Sequence, residues 1–290
     1  MSNPFLEQLI ASNITDRASL SLYASGARDK ADCPMLACKR TGAIFAQDIS
    51  HMTNEHYQEK PFADVEQHFS GGVIDKMDLD RRAALLNSYV PGKRWLDFGC
   101  GFGEILKAAG PFAASTAATE LNRTQSNSVR AAGFDVRDDV AEFGRADFEV
   151  VTLFHVLEHL PDPVAMLAHI KRHCSPGATI IVEVPHARDF LLMGLQSDDF
   201  KRSTLWSEHL VLHTRSTLSL AIEGAGLQLA AITGIQRYPV ANHLYWARFG
   251  LPGGHEHLSQ LNTPELGRAY EAALARVDQT DTLLAIAAVP

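Results

Sequence analysis

A glycine-rich turn and the carboxylate that follows it are the residues whose spacing first suggests chemistry. Residues 96–103 (LDFGCGFG) place Gly99, Gly101 and Gly103 between an apolar segment and a helical pattern. Glycines there let the backbone turn sharply and let a ligand approach without a clash with Cβ atoms. Glu120 comes about twenty residues later, at the end of the next apolar segment. A carboxylate at that position can accept hydrogen bonds from both hydroxyls of a ribose.

Three histidines follow predicted strands or strand-like segments, and they are the candidate proton acceptors. Histidine is the side chain whose ordinary pKa lies closest to neutral pH. His155 ends the segment FEVVTLFH, His186 follows the segment ATIIVEVP, and His209 lies between Glu208 and Leu210. For each of them the alternative is an interior histidine that is hydrogen-bonded to the backbone.

The elements that must position these residues are read from the hydrophobic periodicity. From Arg94 onward, strand-like and helix-like segments alternate, which predicts a parallel sheet with helices on both faces. We expect seven strands, parallel except for the last hairpin, in the segments RWLDFGC, STAATEL, FDVR, FEVVTLFH, ATIIVEVP, LQLAAITGIQRY and DTLLAIAAV.

The remaining segments predict two regions of different organisation. Residues 1–90 are expected to form a helical and irregular cap, which ends in the amphipathic segment DLDRRAALLNSYV. Arg81 or Arg82 in that segment could reach the carboxylate of a cofactor. Residues 91–290 form the main domain, with an insertion at about 239–279 that contains the helical segment TPELGRAYEAALARV. The insertion could act as a lid or as the contact of a homodimer.

The glycine-rich turn, Glu120 and the segment FEVVTLFHVLEHLPDP resemble the class I S-adenosylmethionine-dependent methyltransferases, in particular the ubiquinone-methylase-like group. The resemblance covers residues 91–237 and the last strand. It implies a Rossmann-like, seven-stranded, mainly parallel sheet, S-adenosylmethionine as cofactor and methyl transfer as activity.

The resemblance also implies a set of cofactor-binding residues. In that family the glycine turn lies under the amino-acid part of the cofactor, the carboxylate after the second strand holds the ribose, and an acidic residue after the third strand meets the adenine. Asp138 and Asp139 both suit the adenine, and Asp139 is preferred because an apolar residue follows it. The full set is Asp97, Gly99, Cys100, Gly101, Gly103, Glu120, Leu121, Asp138, Asp139, Val140, Phe154 and His155.

A dinucleotide is the competing ligand for this turn. Dinucleotide-binding turns usually carry a third glycine at the position that Glu104 occupies. A carboxylate at the helix N-terminus would also repel the pyrophosphate of NAD, whereas S-adenosylmethionine has no phosphate. The turn therefore favours a methyltransferase over a dinucleotide oxidoreductase.

Methyl transfer from a sulfonium is an in-line displacement, and a hydroxyl acceptor must lose a proton. His209 is the first candidate for the base, followed by His186 and His155. The Glu208-His209-Leu210 segment resembles a segment of the sugar C-methyltransferases in which the histidine is a proposed base. Their cysteine-rich zinc module is reduced here to Cys33 and Cys38, and their extra C-terminal domain is absent, so the resemblance does not extend to C-methylation of a keto-sugar.

The predicted acceptor is a small molecule, with the hydroxyl of a sugar or surface-glycan precursor ahead of a quinone or other aromatic hydroxyl. A non-catalytic S-adenosylmethionine-binding protein is the second class. The net charge of −8 and the pI of about 5.9 disfavour nucleic acid. No segment has the length of a membrane span or the pattern of a signal peptide, so we expect a cytoplasmic protein without a membrane partner.

No metal site is predicted. The four cysteines are expected to be reduced thiols, because they are too few and too scattered for a disulfide framework. The segment His255-Glu256-His257 is the tightest histidine cluster, and we expect a solvated loop there rather than a set of ligands.

Overall fold

The computed structural model describes residues 2–58, 73–144 and 147–290. Their strands are β1 (Leu20–Ala24), β2 (Met35–Cys38), β3 (Ile44–Ala46), β4 (Arg94–Phe98), β5 (Ser115–Thr119), β6 (Val136–Arg137), β7 (Phe148–Phe154), β8 (Cys174–Pro185), β9 (Val211–Leu212), β10 (Gln228–Ile235) and β11 (Thr282–Ala288).

The helices of the same residues are α1 (Pro4–Ala11), α2 (Asn54–Gln58), α3 (Val73–Leu86), α4 (Glu104–Ala109), α5 (Arg123–Ala131), α6 (Pro163–Lys171), α7 (Phe190–Met193), α8 (Asp198–Thr204), α9 (Arg215–Gly224), α10 (Val240–Phe249), α11 (Gly254–His257) and α12 (Pro264–Arg276). Short 3₁₀ segments lie at Arg17–Ser19, Gly110–Phe112, Val140–Phe143, Leu157–His159 and Ser259–Leu261. None of the described helices is long and apolar enough to cross a lipid bilayer.

A seven-stranded sheet in the order β10-β11-β8-β7-β4-β5-β6 organises the main domain. β4 pairs in parallel with both β5 and β7, and β11 runs antiparallel to its neighbours β8 and β10. This arrangement confirms the predicted sheet, including the antiparallel final hairpin. The chain leaves β4 toward β5 and β6 and returns on the other side as β7, so the strand order reverses at β4. Ligands of open α/β sheets bind at such a reversal, beyond the carboxyl ends of the strands.

The central strands are buried on both faces, as parallel strands under two layers of helices must be. Trp95 and Ile181 belong to the apolar cluster on one face, whereas Leu96, Val151 and Ile180 belong to the cluster on the other. All five side chains are fully buried. The sheet is therefore a stable platform for the loops that leave its edge.

The N-terminal region contains a second, four-stranded sheet in the order β1-β2-β3-β9 that the sequence analysis did not predict. β3 pairs antiparallel with β9, through Ile44 with Leu212 and Phe45 with Val211. The strands were missed because they are only two to five residues long and because β9 lies far along the chain from β3. The cap is thus joined by backbone hydrogen bonds to the segment that follows His209.

The insertion is more helical than the sequence analysis expected. The predicted helix over TPELGRAYEAALARV is confirmed as α12, and α10 precedes it. The expectation of a loop at His255-Glu256-His257 was wrong, because these residues form the helical turn α11 and the ring of His257 stacks on Tyr245 at 4.9 Å.

We expect the second sheet to stabilise the whole protein. Phe45 is fully buried, and its ring lies 6.4 Å from that of Phe5 in α1. Phe45→Ala should lower the free energy of unfolding by about 3–5 kcal/mol, because it removes an aromatic ring from a packed core. Urea denaturation measures this change. Leu22→Ala is the matched control on β1, since Leu22 is 65% exposed, and an unchanged midpoint for Phe45→Ala would contradict this role of β3.

Candidate active site

The glycine turn after β4 requires glycine for both conformation and space. Gly99, Gly101 and Gly103 have φ angles of +76°, +55° and +72°, in the left-handed region that other residues rarely adopt. A Cβ atom at Gly99 would lie 2.6 Å from Cγ2 of Val156. The turn therefore brings the backbone close to the place where the amino-acid part of a cofactor would lie, without a Cβ atom at the three glycines.

Glu120 stands beside this turn, as its spacing predicts. Its carboxylate accepts hydrogen bonds from the backbone N–H of Gly101 at 2.9 Å and of Asn122 at 2.8 Å. Burial raises the pKa of Glu120 above its ordinary value. Each carboxylate oxygen has a further lone pair, so Glu120 can still accept the hydroxyls of a ribose. These features fit S-adenosylmethionine.

Asp97 lies near the end of β4, and a hydrogen bond from β7 fixes its carboxylate. The hydroxyl of Thr152 on β7 donates a hydrogen bond of 2.6 Å to Asp97, and the indole N–H of Trp95 donates to Thr152 at 2.9 Å. Burial raises the pKa of Asp97 to about 6. Next to it, Cys100 is a buried free thiol whose pKa is raised by burial.

The two aspartates proposed for the adenine have different surroundings. Asp139 accepts hydrogen bonds from the N–H of Ala141 at 2.7 Å and from Nε2 of His169 at 2.9 Å. Burial raises the pKa of Asp139, but these hydrogen bonds lower it further, so that it lies below its ordinary value. Asp138 is exposed and lies 3.5 Å from Arg130. The assignment of the adenine to either aspartate stays a prediction.

The remaining predicted cofactor residues lie at or after the ends of β5, β6 and β7. Leu121 follows Glu120 and is partly exposed, whereas the side chain of Val140 is fully buried in the core. Phe154 ends β7, and the guanidinium of Arg82 lies 4.8 Å from the centroid of its ring.

His155 follows β7 and lies between two buried carboxylates. Its φ angle of +55° is unusual for a residue other than glycine. Its Nδ1 is 3.3 Å from Glu158 and its Nε2 is 3.3 Å from Glu183. Although burial raises the pKa of Glu158, the hydrogen bond from His155 and the neighbouring histidines lower it to about 2. Glu158 is therefore ionised at neutral pH.

His159 and His209 meet Glu158 to form a compact group, which we call the histidine cluster. Ligand atoms of Glu158, His159 and His209 all lie within 4.8 Å of one another. The two rings are 5.0 Å apart, and the ring of Trp206 packs edge-on against both. Among the described residues, Oε2 of Glu158 and Nδ1 of each histidine are buried without a hydrogen-bond partner. Such a group can take up a proton, bind a hydroxyl or hold a divalent cation.

His209 is partly exposed, and burial lowers the pKa of its ring to about 3. The ring is therefore neutral at physiological pH and offers a lone pair. The structure thus brings together two of the three predicted catalytic histidines, His155 and His209, around Glu158.

His186 lies elsewhere, which corrects its expected place at the acceptor. Its side chain is fully buried, and its Nδ1 is 2.9 Å from the carbonyl oxygen of Thr280. A β-bridge joins it to His213, and burial lowers its pKa to about 4. The strand-end position was right, but the side chain turns toward the core beside β11.

Arg81 and Arg82 contact Glu183 rather than an open site. The Nη2 atoms of Arg81 and Arg82 lie 2.8 Å and 2.5 Å from this carboxylate, which is fully buried on β8. Despite burial, His155 and the two arginines hold the pKa of Glu183 well below its usual range. Glu183 was not among the predicted site residues. A single carboxylate within the apolar strand IIVEVP is nevertheless a detectable signal, because buried carboxylates are almost always paired.

The cap also contributes to the site. Nε2 of His56 in α2 lies 2.9 Å from the buried carboxylate of Glu208, the residue before His209. This contact was missed because nothing in the local sequence around His56 indicates a partner so far along the chain.

Comparison with known proteins identifies the family of the chain. A family model described as a methyltransferase domain matches residues 73–232, which is more than half of the 290 residues. The ubiquinone biosynthesis O-methyltransferase of Hahella chejuensis is 33% identical over 112 residues, which cover 35% of this chain and 45% of that protein. The enzyme of the same name from Pseudomonas aeruginosa is 26% identical over 188 residues, covering 57% of this chain and 75% of the relative.

The solved structures agree on the fold. A SAM-dependent methyltransferase from Archaeoglobus fulgidus superimposes with a TM-score of 0.53 at 16% identity, covering 79% of this chain and all of that chain. The chain therefore belongs to the methyltransferase-domain family and is an enzyme with the class I fold and the S-adenosylmethionine cofactor that the sequence predicted.

Proposed function

We propose that the protein methylates a hydroxyl oxygen of a small molecule that binds against the histidine cluster. The observation that carries this proposal is the set of buried, unpaired atoms on Glu158, His159 and His209. Polar atoms in that state are costly unless a ligand or water satisfies them. Val156, which directly follows His155, packs against Gly99, so the cluster adjoins the wall of the glycine turn.

The chemistry requires alignment of the acceptor and removal of its proton. S-adenosylmethionine supplies an electrophilic methyl group on its sulfonium. His209 is the base in this proposal, because its neutral ring can accept the proton of the hydroxyl. The low pKa makes the free ring a weak base. The ionised carboxylate of Glu158 next to it favours the imidazolium, and the pKa of about 3 already includes this attraction.

Two acceptor classes follow from different observations. The Glu208-His209-Leu210 segment favours a sugar or a surface-glycan precursor. The relatives are named for ubiquinone biosynthesis, which supports a quinone-type or other aromatic hydroxyl. The edge of the Trp206 ring against His159 and His209 suits either a sugar face or an aromatic ring. We propose a hydroxyl acceptor and use both classes as test compounds.

The partners of the protein and its cellular location are also proposals. The acidic charge supports a partner other than nucleic acid, and the absence of a membrane-spanning helix among the described residues is compatible with the proposed cytoplasmic address. The insertion exposes Leu244, Phe249 and Leu251, each by roughly half, which supports its role in a homodimer.

Calorimetry should show that S-adenosylhomocysteine binds and that NAD does not. Glu120→Ala should weaken binding by about tenfold or more, because it removes charge-assisted hydrogen bonds to the ribose. Asp97→Ala should weaken binding as well. Glu149→Ala is the matched control, since its carboxylate pairs with Lys93 at 3.0 Å at the end of β4 opposite the glycine turn. Equal affinities for the Glu120 and Glu149 variants would remove Glu120 from the site.

The base can be tested with a panel of sugar nucleotides and catechols and with radiolabelled methyl donor. His209→Ala and His209→Gln should keep affinity for S-adenosylhomocysteine and lose about a hundredfold or more in kcat. His257→Ala is the matched control, because His257 stacks on Tyr245 in the insertion.

The pH dependence of kcat/KM gives an independent reading of the same residue. Because the pKa of His209 is lowered to about 3, its ring stays neutral as the pH falls from 8 to about 5. His209 should therefore contribute no acid limb near the ordinary histidine value of about 6.5, and a limb from Asp97, whose pKa burial raises to about 6, should remain in His209→Gln. A full rate in either His209 variant would exclude His209 as the base. An acid limb near pH 6.5 that His209→Gln abolishes would exclude a base with this lowered pKa.

Removal of divalent metal separates a base from a metal ligand. In the proposed mechanism the histidine cluster binds no metal, so dialysis against EDTA should leave turnover unchanged. A loss of turnover that added Zn²⁺ or Mn²⁺ restores, together with metal binding that His159→Ala abolishes, would replace the base by a metal centre.

A further inference from the structure

The short helix α2 of the cap contacts both halves of the proposed site. The hydroxyl of Tyr57 donates a hydrogen bond of 3.0 Å to the backbone carbonyl of His159. The backbone carbonyl of the same Tyr57 accepts a bond of 3.3 Å from Nδ2 of Asn122. One residue therefore joins the segment after β5 to the segment after β7.

On the cofactor side, Asn122 connects Tyr57 to the ribose carboxylate. Its backbone N–H donates to Glu120, and the other oxygen of Glu120 accepts from Gly101 in the glycine turn. The side-chain oxygen of Asn122 caps α5 through two N–H groups at 3.1 Å. The amide of Asn122 is therefore held both at the helix and at Tyr57.

On the acceptor side, Tyr57 acts on the backbone of the histidine cluster. His159 carries the carbonyl that Tyr57 holds, and its ring lies 5.0 Å from that of His209. Burial raises the pKa of Tyr57 well above its ordinary value, so the phenol stays a hydrogen-bond donor across the physiological pH range. His56, the neighbour of Tyr57, pairs with Glu208 and fixes the segment that carries His209.

We propose that Tyr57 is a positioning residue that couples cofactor binding to the alignment of His159 and His209. The path runs from Gly101 through Glu120, Asn122 and Tyr57 to His159. The proposal rests on the proposed function, since it places the cofactor at Glu120 and the acceptor at the histidine cluster. Its consequence is ordered binding, in which the cofactor prepares the acceptor site before the acceptor arrives.

Trp206 provides a probe of the acceptor side, because its ring contacts both His159 and His209. The protein is labelled with 5-fluorotryptophan, and the resonance of Trp206 is assigned by its loss in Trp206→Phe. Titration with S-adenosylhomocysteine should shift this resonance in step with the calorimetric binding curve. The resonance of Trp206 thus reports the binding of S-adenosylhomocysteine at Glu120.

Two variants break the path at different bonds. Tyr57→Phe removes the hydroxyl, whereas Asn122→Ser keeps an oxygen that can cap the helix, adds no charge beside Glu120 and removes the Nδ2 donor. Each should keep affinity for S-adenosylhomocysteine within a few-fold, as expected for loss of about one hydrogen bond outside the ligand contact, and lose most of the shift at Trp206. Tyr23→Phe is the matched control, since Tyr23 lies on β1 with Lys201 3.9 Å from its ring centroid. This control should keep the full shift.

The outcomes distinguish a failure of the cofactor assignment from a failure of the coupling through Tyr57. A wild-type protein that does not bind S-adenosylhomocysteine would overturn the cofactor assignment, and the proposal about Tyr57 with it. Binding that leaves Trp206 unshifted, or a full shift in both Tyr57→Phe and Asn122→Ser, would overturn the coupling alone. Loss of the shift with retained affinity in both variants supports it.

Discussion

Two buried carboxylates, Glu158 and Glu183, determine how the candidate site is assembled. A carboxylate removed from water is stable only when cations or hydrogen-bond donors surround it. His155 lies between the two, and Arg81 and Arg82 from α3 complete the shell of Glu183. This charge network joins α3, the end of β7 and β8. The edge of the sheet is therefore held by electrostatics as well as by apolar packing.

The same network explains how a strained backbone is maintained at His155. A left-handed conformation costs a non-glycine residue on the order of 1–2 kcal/mol. The N–H of His155 donates to the carbonyl of Glu183 at 2.8 Å, and its ring contacts both carboxylates. These bonds offset the strain. The resulting turn places Val156 against Gly99, so that the glycine turn and the histidine cluster share a wall.

The sequence could predict those parts of the site whose residues lie close together along the chain. The glycine turn, Glu120 and the strands around them lie within about thirty residues, the span of one strand-helix-strand unit, and their spacing alone indicates a ribose-binding edge. His209 was selected by its neighbours Glu208 and Leu210. His186 has an equally suggestive position after a strand. The direction of its side chain, however, depends on Thr280, a residue that comes much later in the chain.

The parts that could not be predicted depend on pairing between distant segments. β3 and β9 are each too short to show a periodicity, and they become strands because they complete one another's hydrogen bonds. The amide of Asn3 reinforces this pairing by donating to the carbonyls of Ala46 and Leu210. Since Leu210 directly follows His209, the first residues of the chain and the second sheet fix the backbone of the proposed base. The N-terminal region therefore helps to hold the backbone of the proposed acceptor site.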